Sequence, residues 1–197
     1  MKIVGFVYYG SGKSDMYLKP DSALLVNKKP FFLPDFIVNE QKSPIAAYPT
    51  LTVRISRMGR NIEERFADRY YDATALSLHL QADVEDAGRT FEDMIRLKSF
   101  DNSFVAGDFS AEKTQTFKLT INESEALDLN NLWMTPERAI AEVSQSITLR
   151  TGDMVGVSYQ LARVDESGYD SRFLLEREML LEGTDENGKE VFRCRIK

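Results

Sequence analysis

The chain has 197 residues, enough for one self-sufficient core that buries roughly 70% of the unfolded surface. Its 43% hydrophobic and 28% charged residues exclude wholesale disorder and collagen-like or coiled-coil rods, and a net charge of −6 repels phosphate backbones, so nucleic acid is excluded as a first partner. No stretch approaches the roughly 18 uncharged apolar residues of a membrane span, the start lacks a small-residue cleavage site, and the single cysteine, Cys194, excludes a disulfide framework; the reading is a soluble, unprocessed, cytoplasmic protein with no membrane contact.

Five prolines, Pro20, Pro30, Pro34, Pro44 and Pro49, fall in the first quarter. Each fixes φ and removes a donor, which predicts short strands and ordered loops there. Gly10-Ser11-Gly12-Lys13-Ser14 follows an apolar run, but Val7 stands where a phosphate loop needs its first glycine, and Asp15 to Pro20 cannot open a helix; a plain turn is expected. Leu51, Val53 and Ile55 alternate with Thr50, Thr52 and Arg54 as in a half-buried strand. Asn61 as a cap, acids after it, and Ile62, Phe66 and Tyr70 on one face predict a helix up to Tyr71. In Ala75 to Asp83, three leucines point one way while Ser77, His79, Gln81 and Asp83 point the other. Phe117, Leu119 and Ile121 mark a strand. Thr135-Pro136-Glu137 starts a helix that runs to about Ser146. Met154 to Tyr159 and Arg172 to Leu181 read as strands, and Asn187-Gly188 as the turn of a terminal hairpin. Residues 1–197 make one domain, α+β and mostly β.

Few side chains point to chemistry unaided. His79 is the only histidine, no Gly-x-Ser-x-Gly elbow accompanies it, and Cys194 reads as a packing residue. Asp83, Glu85 and Asp86 form an acidic cluster that reads as a solvated turn in preference to a cation site.

Three blocks in order carry a family resemblance: Tyr17-Leu18-Lys19-Pro20-Asp21-Ser22-Ala23-Leu24, Lys98-Ser99-Phe100-Asp101, and Ser144 to Asp153 with its Thr148-Leu149 and Gly152-Asp153 pairs. Together they resemble the Phe-x-Lys-Pro-x-Ser-Ala-Leu, Lys-x-Phe-Asp and Ser-x-x-x-Thr-Leu-x-x-Gly-Asp segments of the fumarylacetoacetate hydrolase family, most clearly over residues 1–156. The resemblance implies layered β-sheets with a few short helices, usually a homodimer, and carbon–carbon hydrolysis, decarboxylation or isomerisation of small 2-oxo acids. It also implies a divalent cation, Mg²⁺, Mn²⁺ or Ca²⁺, that chelates the substrate and stabilises its enolate. The family holds that cation with a Glu-x-Glu pair and an Asp, and uses a His-x-x-Glu pair for proton transfer. Alignment on the resemblance puts Tyr48, Thr50 and His79 at the three ligand positions, and Val7 to Met16 contains no His-x-x-Glu.

What the family resemblance leaves in place is Lys19 and Lys98, as substrate-binding candidates, with Lys98 and His79 as the catalytic ones. The expectation is therefore a catalytically lapsed homologue, a pseudoenzyme that needs no cofactor and binds at most a small carboxylate or oxo acid near Lys98. The alternative is a working acylpyruvate hydrolase or oxaloacetate decarboxylase, metal-dependent or using His79 as base and Lys98 as oxyanion holder without metal.

Overall fold

A computed structural model describes residues 1–10, 12–38, 41–83, 91–161 and 171–197. Its elements in chain order are β1 (Lys2–Gly10), β2 (Lys13–Pro20), β3 (Leu24–Val26), β4 (Phe36–Val38), β5 (Gln41–Ser43), β6 (Ile45–Ile55), β7 (Tyr71–Ala82), α1 (Phe91–Lys98), β8 (Phe104–Ala106), β9 (Phe117–Ile121), β10 (Glu125–Leu129), α2 (Pro136–Ser146), β11 (Met154–Ser158), β12 (Phe173–Leu175), β13 (Leu180–Asp185) and β14 (Glu190–Arg195). The α+β, mostly β expectation holds. Among these residues no helix is long and apolar enough to cross a membrane.

The larger sheet runs β2-β1-β11-β6-β7-β8-β3, with β12 also paired to β6. Its outer face carries the apolar parity of each strand. Leu51, Leu76, Leu78 and Val105 pack on Leu119, Leu181 and Phe192 of the second sheet, β10-β9-β13-β14, while Val4, Val53 and Val155 pack on Ile140 and Val143 of α2. Thr135 caps α2 by accepting from the Arg138 N–H at 3.2 Å, as the Thr-Pro-Glu signal predicts. Cys194 lies in the apolar core, where burial pushes its thiol up to about 11 and leaves it unreactive.

Three expectations are corrected. The strands at Leu51 and Leu76 are buried on both faces, not one. The reason is curvature: Lys19 on β2 hydrogen-bonds Leu80 O on β7, with β1, β11 and β6 lying between those strands in the sheet, so the sheet rolls and the edge strand's side chains cover the inner face. The helix expected from Asn61 is a short 3-10 segment, Glu64–Arg69. Asn61 sits at φ 52, and Asn61 N and Ile62 N are both spent on Ser144 of α2, so the loop is pinned by tertiary contacts before a helix can start. Arg172 to Leu181 breaks into two strands because Glu178 turns at φ 68. β1 ends at Gly10 and β2 starts at Lys13, with Gly10 and Gly12 at positive φ; Ser11 of the expected turn lies outside the described residues. Glu85 and Asp86 of the acidic cluster lie outside the described residues.

Candidate functional site

The register of β6 against β7 pairs Tyr48 with His79 and Thr50 with Ser77. Period-two alternation puts all four side chains on the inner face of the roll, and all four are buried. This is the polar parity noted in the sequence. Thr50 Oγ1 donates to Tyr48 O at 2.8 Å. His79 Nε2 lies 3.2 Å from Gln81 Oε1, and Gln81 Nε2 donates to Tyr48 OH at 3.4 Å. Since Gln81 Oε1 only accepts, His79 carries its proton on Nε2, which leaves Nδ1 as a bare acceptor with no partner among the described residues.

His79 is neutral. Burial lowers its pKa well below the ordinary value, and the nearby Lys19 and Lys98 ammonium groups lower it further against the opposing Gln81 bond. The consequence for stability has a definite sign. Below about pH 6.5 the unfolded chain protonates its histidine while the folded chain does not, so stability is retained above that pH and lost below it, by up to about 1.4 kcal/mol per pH unit. Urea unfolding followed from about pH 7.5 to about pH 5.5 should show this loss, and His79→Gln should flatten it.

Tyr17 closes the inner face. Its ring stacks on His79 with centroids 4.0 Å apart and planes at 15°, and it lies across Gly5 and Gly156. A Cβ on Gly5 would come within 2.6 Å of the Tyr17 hydroxyl, and one on Gly156 within 2.9 Å of Thr50 Cγ2; both glycines are needed for this close approach. The Tyr17 hydroxyl has no partner, and burial pushes its pKa up. Tyr17 OH, Thr52 Oγ1, Ser77 Oγ and His79 Nδ1 all belong to this one face and are all unpartnered among the described residues.

The two lysines stand differently. Lys19 Nζ donates to Leu80 O at 2.9 Å, to Ser103 O at 3.0 Å and Oγ at 2.8 Å, and to Lys98 O. Burial pulls its pKa well down, but three carbonyls that can only accept match the three protons of an ammonium. Lys19 therefore has no donor left for a ligand. Lys98, the last residue of α1, donates to Asp15 Oδ2 at 2.8 Å and lies 3.5 Å from Tyr9 OH. Its side chain is 14% exposed and lines a groove of about 840 Å³ whose apolar walls include Met16, Leu18, Pro20 and Ile95. Tyr9 OH also donates to Gln81 Oε1 at 3.3 Å, so one polar chain links His79 to Lys98.

The structure thus brings Tyr48, Thr50 and His79 together and puts Lys98 at the far end of their hydrogen-bond chain. Tyr17, Ser77, Gln81, Asp15 and Tyr9 are members that sequence reasoning missed as site residues. The parity of Ser77 and Gln81 was visible; contacts made by Tyr17, Asp15 and Tyr9 depend on the roll of the sheet. Asp83, at the same parity as His79, pairs instead with Arg172.

The donor set at Tyr48, Thr50 and His79 does not fit a hard divalent cation. It offers no carboxylate, its hydroxyls are engaged or covered, and two ammonium groups lie close enough to act on His79. Among the described residues no group of three or more His, Cys, Asp or Glu could hold a metal ion.

A family profile described as the fumarylacetoacetate (FAA) hydrolase C-terminal domain matches residues 10–157. No curated protein matches the chain in sequence. Among solved structures, the fold is similar to 5-carboxymethyl-2-hydroxymuconate delta-isomerase from Mycobacterium smegmatis, at 16% identity and TM-score 0.74 over 99% of this chain and 76% of that one. It is similar to 2-hydroxyhepta-2,4-diene-1,7-dioate isomerase from Mycobacterium marinum, at 15% identity and TM-score 0.71 over 99% of this chain and 73% of the other. A third is fumarylpyruvate hydrolase from Pseudomonas aeruginosa in complex with Mn²⁺ and pyruvate, at 16% identity and TM-score 0.73 over 100% and 89%. That complex corrects the expectation that no cofactor is involved: a protein with this fold is in complex with Mn²⁺, and the mismatch found above concerns the three positions Tyr48, Thr50 and His79.

Proposed function

We propose that this chain, which belongs to the fumarylacetoacetate hydrolase family, has lost the hydrolase, decarboxylase and isomerase chemistry of its relatives while keeping their fold. The observation that carries this reading is the Tyr17 ring stacked 4.0 Å from the only histidine. A reacting oxo acid needs the space over His79, Tyr48 and Thr50, and a phenol ring occupies it. No Glu-x-Glu, Asp or His-x-x-Glu stands at the matching positions to replace the missing proton transfers.

What persists is the amine of Lys98. Two of its three protons face Asp15 and Tyr9, and the third is left for a small carboxylate or oxo acid in the groove. Assembly as a homodimer belongs to the same proposal, on family resemblance alone.

The test is acylpyruvate turnover with Mn²⁺ supplied at saturation, so that the family's metal is not limiting. No rate above the protein-free background is expected. Turnover that disappears in His79→Ala would overturn the reading in favour of a working enzyme.

A further inference from the structure

We infer that Lys98 is a covalent carbonyl-binding site: its amine forms an imine with small 2-oxo acids that carry an apolar tail, with Asp15 handling the protons. The inference deepens the reading that Lys98 faces an oxo-acid ligand and is independent of the lost family chemistry. Three features of the groove lead to it.

The amine is placed for nucleophilic work. The Lys98 side chain is only 14% exposed, at the end of α1 and beside an apolar wall of Met16, Leu18 and Ile95. Such partial desolvation separates a reactive lysine from a solvated surface one. Two acceptors flank it. Asp15 Oδ2 at 2.8 Å takes the ammonium proton, and Tyr9 OH at 3.5 Å accepts from the same nitrogen while donating to Gln81 Oε1. Asp15 is itself 44% exposed, so it exchanges protons with water.

The groove sets the ligand class. Its wall is aliphatic, which suits an alkyl tail, while the Lys98 charge draws in a carboxylate whose neighbouring carbon carries the oxo group. The amine attacks that carbon, forming the C–N bond and moving the C=O π pair onto oxygen. Asp15 returns its proton to that oxygen, takes a second proton from the nitrogen and passes it to the same oxygen, which leaves as water while the nitrogen lone pair closes the C=N bond. Overall, ammonium plus ketone gives iminium plus water, with no oxidant and no net proton change.

The probe is 2-oxohexanoate with cyanoborohydride, which supplies the hydride that fixes an imine as a secondary amine, followed by peptide mass mapping of the intact wild-type chain. Adduct at Lys98 should exceed that at the exposed Lys28 by about tenfold or more, and Asp15→Asn should lower it severalfold and shift its pH profile while the chain stays folded. Adduct spread evenly over the lysines, or none at Lys98, overturns the imine. Binding of both 2-oxohexanoate and 2-hydroxyhexanoate, read as a rise in melting temperature that Lys98→Met abolishes, would in that case show that the carboxylate reading survives alone. Absence of both effects removes the oxo-acid reading of Lys98 as well. Neither outcome touches the acylpyruvate result.

Discussion

Replacing Lys19 with methionine is expected to cost about 3–5 kcal/mol of folding stability, read from urea or guanidinium midpoints. Methionine fills the channel but strands Leu80 O, Lys98 O and Ser103 Oγ, which accept from the ammonium, while Ser103 O keeps only the Leu80 N–H. A buried carbonyl without a donor costs about 1–3 kcal/mol, and these oxygens belong to segments that hold the roll together. Lys98→Met is the comparison. Its ion pair has a half-exposed carboxylate, so about 1 kcal/mol or less should be lost. Equal effects at the two lysines would mean that Lys19 is not the clasp of the sheet.

Tyr17 gives the second large effect, and its sign depends on the substitution. Tyr17→Ala removes the ring that stacks on His79 and covers Gly5 and Gly156, and the cavity left should cost about 3–5 kcal/mol. Tyr17→Phe keeps the ring and deletes a buried hydroxyl that has no partner. It should be neutral or stabilising by about 1 kcal/mol, since removing an unpaired polar atom removes its desolvation cost. A loss above about 1 kcal/mol in Tyr17→Phe would show that the hydroxyl is bonded in solution.

Much of this was legible in the sequence, and what was missed has a common cause. Local signals carried the elements: the Thr135 cap, the alternation around Leu51 and Leu76, and the Asn187-Gly188 turn between β13 and β14. The polar parity of Ser77, His79 and Gln81 was also there to read. Alternation cannot say what lies opposite a face, however. That His79 is covered by a tyrosine some sixty positions earlier, and that Lys19 is consumed by main-chain carbonyls, follow from the roll of the sheet, which no short window encodes. The Asn61 segment failed for the same reason, since Ser144 of α2 takes the amides that a helix start would have used. The residues that carried the family resemblance, Lys19 and Lys98, occur in matching motifs yet have opposite availability in the fold: one is spent internally and the other faces a groove.

The filled inner face can be tested through its single histidine, because a long-range ¹H–¹⁵N spectrum of the imidazole contains one side chain only. The spectrum would be recorded between about pH 8 and about pH 5, with pyruvate and Mn²⁺ added in turn. A packed and closed site predicts a neutral Nε2-protonated ring whose shifts neither titrate in that range nor respond to either addition. An imidazole that titrates near its ordinary value, or that is broadened by Mn²⁺ or shifted by pyruvate, would contradict the closure of the site.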